Sequence, residues 1–260
     1  MFGLFGKPTF LEKELEAWSL ETWAWFQRNL PKRGAPKLVL PTKDFYPPTE
    51  LEGHDRAVYL FEMTKRWMHI ADWPCELQAY ERREANPLVG ETLILRNSQA
   101  PNGTFQVKDG QVIISYAADL VASPRHLIAT FAHELSHYLV ACIREPIPGG
   151  REVHELTTEL GAAYTGFGVF CANEAFAFGQ FQGAGSQGWS ARRSGYFSER
   201  TWAFCLAVFT ALKDEEPPLD ALKPSVASLT KAAARYLKRW PELLEPLRRP
   251  AEVASGADSS

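Results

Sequence analysis

The chain has 260 residues, of which 45% are hydrophobic and 23% are charged, a composition that is ordinary for a soluble globular protein. The formal net charge of −3 gives no broad attraction to nucleic acid or to an anionic membrane, so neither is predicted as a partner. The length is sufficient for one large domain or two small ones, and for a substantial buried core.

The N-terminus and the cysteines bear on the cellular compartment. The first eight residues lack the basic start, the apolar run and the small-residue cleavage site that mark a signal peptide. The cysteines form no Cys-x-x-Cys pair, and most lie in apolar helical patterns, where a buried free thiol is the default. The sequence therefore predicts a protein of the reducing cytoplasm without disulfides. The four cysteines are Cys75, Cys142, Cys171 and Cys205.

Apolar periodicity and breaker residues divide the first 100 residues into helices and short strands. The patterns predict helices over 9–30 and 55–70, and strands over 37–40, 75–81 and 92–95. The first helix carries an apolar stripe, which we expect to pack on the body of the protein rather than on a partner or a membrane. The stripe consists of Leu11, Leu15, Trp18, Trp25 and Phe26.

Residues 104–116 carry the clearest strand signal. Two β-prone runs, 104–107 and 111–116, are separated by Lys108, Asp109 and Gly110. An Asp-Gly pair between such runs predicts a hairpin with a tight turn.

A well-marked helix is predicted after residue 123. Ser123 is a good N-cap, and Pro124 suits the first helical position, where its missing N–H costs nothing. Apolar residues then recur at helical spacing, as in a core-facing stripe, until prolines and glycines at 146–150 end the helix. The stripe is Leu127, Ile128, Phe131, Leu135, Tyr138, Leu139 and Cys142.

Within this helix, residues 133–137 have the pattern His-Glu-x-x-His. His133 and His137 lie one turn apart on the same face, so both imidazoles can bind one metal ion. Glu134 projects beside them and is placed to act as general base on a metal-bound water. The alternative is a surface helix with two histidines in ordinary hydrogen bonds. His126 is predicted to be exposed or capping, with the lining of a cleft as the alternative.

A catalytic zinc site needs a third protein ligand. Residues 154–164 predict a second helix, in which Glu155 and Glu159 are four residues apart and share a face. One carboxylate can bind the metal while the other accepts the ring N–H of a ligating histidine. Glu155 is the first candidate for the third ligand, and Glu159 and His154 remain alternatives.

Two such helices joined by a short loop resemble the active site of the gluzincin branch of zinc metallopeptidases. The resemblance implies a zinc ion (Zn2+) bound by His133, His137 and Glu155, with Glu134 as general base and Glu159 as hydrogen-bond partner of a ligand. It thereby implies hydrolysis of a peptide or protein substrate by an activated water.

The resemblance covers residues 123–167 and has two departures. Gluzincins commonly have Asn where this chain has His154, and they usually have Asp where it has Glu159. The metzincin extension His-x-x-Gly-x-x-His is absent, because Tyr-Leu-Val-Ala-Cys occupies 138–142. The gluzincin branch is therefore the better match.

The fold implied by the resemblance is α+β and zincin-like: a small mixed or antiparallel sheet packed on the active-site helix, with a mainly helical C-terminal half. In that fold the strand before the active-site helix is an edge along the cleft. Residues 111–116 are then expected either to bind an extended peptide as a further strand or to form an ordinary sheet strand. We expect one domain over 1–245, with an N-terminal α/β part (about 1–120) and a catalytic helical part (about 121–245).

The stretch 162–181 is nearly as apolar as a membrane span and is predicted to continue the helix of Glu155. Because it contains Asn173 and Glu174, we expect a buried helix beneath the metal site and no stable membrane insertion. Further helices are predicted over 198–212 and 225–240.

A segment rich in glycine, serine and glutamine, 179–195, predicts a loop of the kind that often covers an active site. Arg192 and Arg193 are candidates for holding a substrate carboxylate or carbonyl, with an ordinary exposed position as the alternative. Tyr196 is a candidate donor to a developing oxyanion, with simple packing as the alternative. The tail, 246–260, is predicted to be disordered.

These patterns together predict a cytoplasmic, zinc-dependent hydrolase, most simply a metallopeptidase. Two alternatives stay open. One is a non-catalytic metal-binding or regulatory protein with a zincin-like fold, and the other is a metal-dependent hydrolase of non-peptide amides.

Overall fold

The computed structural model describes residues 8–30, 36–82, 102–179 and 196–248. Within these ranges the chain is α+β, as predicted. The helices are α1 (Lys13–Asn29), α2 (Gly53–Trp67), α3 (Pro124–Cys142), α4 (His154–Tyr164), α5 (Gly168–Gly179), α6 (Glu199–Ala211), α7 (Pro224–Arg239) and α8 (Glu245–Arg248). The strands are β1 (Glu76–Tyr80), β2 (Gly103–Lys108) and β3 (Gln111–Ala117). Short 3-10 helices occupy Ala118–Ala122, Arg151–Val153, Leu219–Ala221 and Pro241–Leu243.

The three strands form one mixed sheet in the order β1-β3-β2. β2 and β3 pair antiparallel, with Gly103 opposite Tyr116 and Lys108 opposite Gln111. The predicted hairpin is confirmed, and its turn residues Asp109 (φ 52°) and Gly110 (φ 79°) both have the positive φ that a tight two-residue hairpin turn requires. The predicted strand over 75–81 is confirmed as β1.

Of the two alternatives for residues 111–116, the structure excludes the edge strand. β3 is the central strand, because β1 pairs with it in parallel, from Glu76 opposite Ile113 to Tyr80 opposite Ala117. Both rows of its backbone groups therefore have partners, and the ordinary-strand alternative is correct. In the described part of the chain, β2 and not β3 is the outer strand beside α3.

Helix α3 is the element around which the others pack, since it contacts α2, α4, α5, β2 and β3. Its predicted stripe is mostly buried, with Leu127, Phe131 and Leu135 fully enclosed. Cys142, at its C-terminal end, is exposed, which corrects the prediction for that residue. Ser123 is at the N-cap position, but its side chain makes no capping hydrogen bond.

The aromatic stripe of α1 faces the protein, as predicted. Trp18, Trp25 and Phe26 are buried, and the Phe26 ring stacks on Tyr164 of α4 with centroids 5.3 Å apart. In the described residues no helix is both long and apolar enough to cross a membrane.

Residue Gly166 overturns two predictions. The stretch 162–181 is not one helix, because α4 ends at Tyr164 and Gly166 adopts φ 99° before α5 begins. The segment 37–40 is not a strand, and it instead runs beside this break, where the Val39 N–H donates to Gly166 O at 2.9 Å. Both predictions fail where segment 37–40 packs closely against Gly166, a tertiary contact that the local sequence pattern does not indicate.

The remaining predictions have mixed outcomes. α6 and α7 confirm the helices over 198–212 and 225–240, whereas the start of the tail is ordered in α8, with Leu247 buried. Cys171 and Cys205 are buried free thiols, as expected. The strand over 92–95, nearly all of the loop over 179–195 with its two arginines, and the tail beyond 248 lie outside the described residues.

Candidate metal centre

The two histidines of the His-Glu-x-x-His pattern are one helical turn apart, and their imidazoles lie close together. On α3, His133 Nε2 lies 3.2 Å from His137 Nε2. Glu155, in the first turn of α4, places its Oε2 atom 3.6 Å from the former and 3.7 Å from the latter. The structure thus gathers His133, His137 and Glu155 into one cluster, with one ligand atom of each within 4.8 Å of the others.

The spacing of these atoms suits a small tetrahedral cation. Zinc binds nitrogen and oxygen ligands at about 2.0–2.2 Å, so two ligand atoms at tetrahedral positions are about 3.3 Å apart. The three observed separations, 3.2, 3.6 and 3.7 Å, are close to that value. Two imidazole nitrogens and one carboxylate oxygen are also a ligand set that zinc uses when a fourth position is left to water.

The second nitrogen of each imidazole already has a partner. His133 Nδ1 lies 2.8 Å from Glu159 Oε1 in a buried pair. His137 Nδ1 lies 3.2 Å from the hydroxyl of Thr158, which itself donates to His154 O and so accepts from the ring. Both Nδ1 atoms therefore carry hydrogen, and the Nε2 atoms are the ones that face Glu155 and each other, where a cation would bind.

The three candidates for the third ligand take different positions. Glu155 is the carboxylate that faces both Nε2 atoms. Glu159 contacts the opposite nitrogen of His133, where it can orient the ring but not share the cation. The His154 ring stacks on His137 with centroids 5.1 Å apart, and its Nδ1 is 3.9 Å from Glu155 Oε1. The geometry favours Glu155 among the three.

The pKa values of the clustered side chains indicate which of them is protonated when no metal is bound. Burial works against a charged His133, but the adjacent carboxylates of Glu155 and Glu159 outweigh it and raise its pKa to about 10. Burial and the charge of His133 lower the pKa of His137 to about 3. The imidazoles of His133 and His154 lower the pKa of Glu155. A single proton on His133 Nε2 therefore lies among the three ligand atoms, where positive charge is favoured.

Glu134 lies beside the cluster and is only 6% exposed. Burial raises its pKa to about 7, with the carboxylates of Glu155 and Glu159 adding to the effect and His133 opposing it. A carboxylate that titrates near neutral pH is suited to take up and release a proton during a reaction. Glu134 therefore lies beside the three candidate ligands, and its role as a base stays a prediction.

Gly103, at the start of β2, was not identified from the sequence. A Cβ atom on it would lie 2.9 Å from Glu134 Oε1 and 2.7 Å from Thr130 Cγ2, so the strand can approach the base only because this residue has no side chain. A glycine within a β-prone segment often marks such a close approach, and that was the available signal. Phe105 of the same strand stacks on His137, with centroids 6.0 Å apart.

The remaining predicted site residues divide into three groups. The Tyr196 ring is 5.4 Å from that of His133, so this residue is at the cluster, and burial raises its pKa so that it keeps its hydroxyl proton. His126 is not at the cluster but lies 3.8 Å from Glu174, and both line a separate pocket of about 420 Å³. Arg192 and Arg193 lie outside the described residues.

No protein-family model, curated protein or solved structure matches the chain. Its function is therefore inferred from the arrangement of its own side chains.

Proposed function

We propose that the protein is a zinc-dependent hydrolase with a zincin-like fold, most simply a metallopeptidase of the gluzincin type. One observation carries the proposal: His133, His137 and Glu155 present three ligand atoms to one point, while Glu159 and Thr158 hold the far nitrogens of the two rings. A reducing cytoplasm remains the predicted compartment.

Each side chain has a task in such a reaction. A zinc ion at the cluster would polarise the scissile carbonyl and lower the pKa of its water towards about 7. Glu134 would take the proton from the attacking water and pass it to the leaving amine. Tyr196, which keeps its proton, would donate a hydrogen bond to the oxyanion that develops on the carbonyl.

The position of Glu134 favours catalysis over the non-catalytic alternative. A structural or sensing metal site needs ligands but no base, and enclosing an additional carboxylate is unfavourable. Here Glu134 is buried beside the ligands and is not itself one of them. Hydrolysis of a non-peptide amide requires the same groups, and only a set of substrates separates it from peptide hydrolysis.

The proposal is tested by zinc content and hydrolysis in parallel. Protein purified without chelator is analysed for metal and incubated with an unfolded protein, and products are identified by mass spectrometry. We expect about one zinc per chain, reduced in His137→Ala and in Glu155→Ala. Glu134→Gln should keep its zinc and its fold but lose turnover. His69→Asn, outside the cluster, is the control, since Asn tolerates the positive φ of that position.

Absence of zinc from the wild-type protein, even after incubation with zinc, would overturn the metal site. Zinc without hydrolysis of any protein or amide would support the non-catalytic alternative. Undiminished turnover in Glu134→Gln would remove this residue from the reaction.

A further inference from the structure

One end of the sheet carries a polar group next to Glu134. The carboxyl ends of β1 and β3 and the start of β2 meet there, because β1 and β3 are parallel and β2 is antiparallel. Arg82 follows β1 by two residues, Asn102 directly precedes β2, and Asp119 follows β3 by two residues. Three polar side chains are thereby brought to one place by the topology.

Arg82 is held in position by a buried amide. Its Nη2 atom donates to Asn102 Oδ1 at 2.6 Å, and Asn102 is only 5% exposed. Asn102 is fixed in turn, because its backbone carbonyl accepts from Ala117 N at 3.0 Å. The guanidinium is thus built into the sheet end rather than free on the surface.

Two hydrogen-bond donors in this group are unsatisfied. Arg82 Nε and Asn102 Nδ2 are both buried, and neither has a hydrogen-bond partner among the residues that the structure describes. Asp119 Oδ1 is 3.4 Å from Arg82 Nε, an ion-pair distance without hydrogen-bond geometry, and its side chain is mostly exposed. Leaving a buried donor unpaired is unfavourable, so an acceptor from outside the described residues would be favoured at these two donors.

The unsatisfied donors are close to the proposed base. Asn102 is followed by Gly103, the residue whose backbone lies against the carboxylate of Glu134. Arg82 is thus hydrogen-bonded to the residue that directly precedes the close approach of β2 to Glu134.

We propose that Arg82 and Asn102 form a subsite that binds a carboxylate of the substrate beside the bond that is cleaved. A carboxylate offers acceptors only, in a planar geometry that matches the fork of an arginine, whose charge strengthens the hydrogen bonds. The proposed subsite rests on the proposed function, since the carboxylate belongs to a peptide hydrolysed at the metal centre. The carboxylate is either the C-terminus of the peptide or the side chain of Asp or Glu.

The test measures binding separately from hydrolysis. The Glu134→Gln variant, loaded with zinc, is titrated with fluorescently labelled pentapeptide pools whose randomised positions lack Asp, Glu and Cys, and fluorescence anisotropy gives Kd. One pool has a free C-terminal carboxylate, the second is amidated, and the third is amidated with one internal Glu. The same titrations are made with Arg82→Ala and Arg82→Lys added, and with Arg66→Ala as the control for loss of an exposed arginine elsewhere. Circular dichroism and zinc content verify each fold.

We expect a carboxylate-bearing pool to bind about 10- to 100-fold more tightly than the amidated pool, as for a charged hydrogen bond. This ratio should fall to about one in Arg82→Ala, should be intermediate in Arg82→Lys, and should be unchanged in Arg66→Ala. The first or the third pool, whichever shows the preference, identifies the source of the carboxylate.

Equal binding of all pools, no binding of any pool, or a ratio that survives Arg82→Ala would overturn the subsite. The proposed function is tested apart, by hydrolysis of the same pools with wild-type Glu134. If binding prefers the carboxylate and depends on Arg82 but no pool is hydrolysed, the subsite is supported and the hydrolase is rejected. If the pools are hydrolysed but binding shows no such preference, the hydrolase is supported and the subsite is rejected.

Discussion

His133 Nε2 and His137 Nε2 lie 3.2 Å apart, with Glu155 Oε2 facing both. Two bare nitrogen lone pairs repel one another at that distance, so a positive charge between them is favoured. In the metal-free protein this charge is the proton of His133, whose pKa is raised to about 10 by the carboxylates that outweigh its burial. A metal ion and a proton therefore compete for the same position.

This competition predicts how metal affinity depends on pH. Below pH 10 the metal-free His133 is protonated, and the bound metal requires its neutral form, so binding releases one proton. Between pH 6.5 and 8.5 the apparent zinc affinity should rise with pH, by at most about tenfold per unit for one proton. Competition titrations against a chelating indicator measure this slope, and calorimetry in two buffers of different ionisation heat counts the protons. An affinity that does not change with pH would contradict it.

Replacing Glu159 should weaken the metal site without abolishing it. Its carboxylate accepts from His133 Nδ1 at 2.8 Å and so fixes the orientation of the ring. Loss of such a partner typically lowers metal affinity by about 10- to 100-fold. We therefore expect Glu159→Gln to bind zinc more weakly than the wild type but more tightly than Glu155→Ala. Competition titration ranks the variants, with Glu21→Gln, at an exposed position of α1, as the control. The reverse order would make Glu159 the third ligand.

The sequence predicts well what is decided locally. Residues four apart on one helix share a face, so the relation of His133 to His137 followed from spacing. The Asp109-Gly110 turn was likewise visible, because a hairpin turn selects for residues that adopt positive φ. These local signals were enough to identify the hairpin and the candidate ligands on α3.

What the sequence missed depends on distant segments. The parallel pairing of β1 with β3 places Glu76 opposite Ile113, and the sequence of neither strand indicates which strand it pairs with. The contact of Gly103 with Glu134 requires the packing of β2 on α3. Third-ligand alternatives stayed open for the same reason, since Glu155 and Glu159 share a helix face and only the orientation of α4 against α3 separates them.

Gly166 is expected to be essential to the fold. Its φ of 99° is unfavourable for other residues, and a Cβ atom there would overlap the backbone carbonyl of Lys37, which cannot move independently. Gly166→Ala should lower the free energy of unfolding by about 3 kcal/mol or more. Gly110 is the matched control, with φ 79° in the hairpin turn and no atom within 4 Å of an added Cβ, so Gly110→Ala should cost only about 1 kcal/mol. Urea unfolding in chelator gives both values, and equal losses would contradict the close approach to Lys37.

Gly103→Ala should impair the reaction while sparing the fold. The atoms that a Cβ would meet, at 2.7 to 2.9 Å, belong to the side chains of Thr130 and Glu134, so the base moves rather than the backbone. Moving the base by about 1 Å costs about 100-fold in turnover. Zinc content and melting temperature should stay near wild type. Val107→Ala, at an exposed position of the same strand, is the control. In a Thr130→Ser, Glu134→Asp background, which removes the methyl group and shortens the acid that the Cβ would meet, Gly103→Ala should have little further effect. The same loss in both backgrounds would show that Gly103 acts on the strand and not on Glu134.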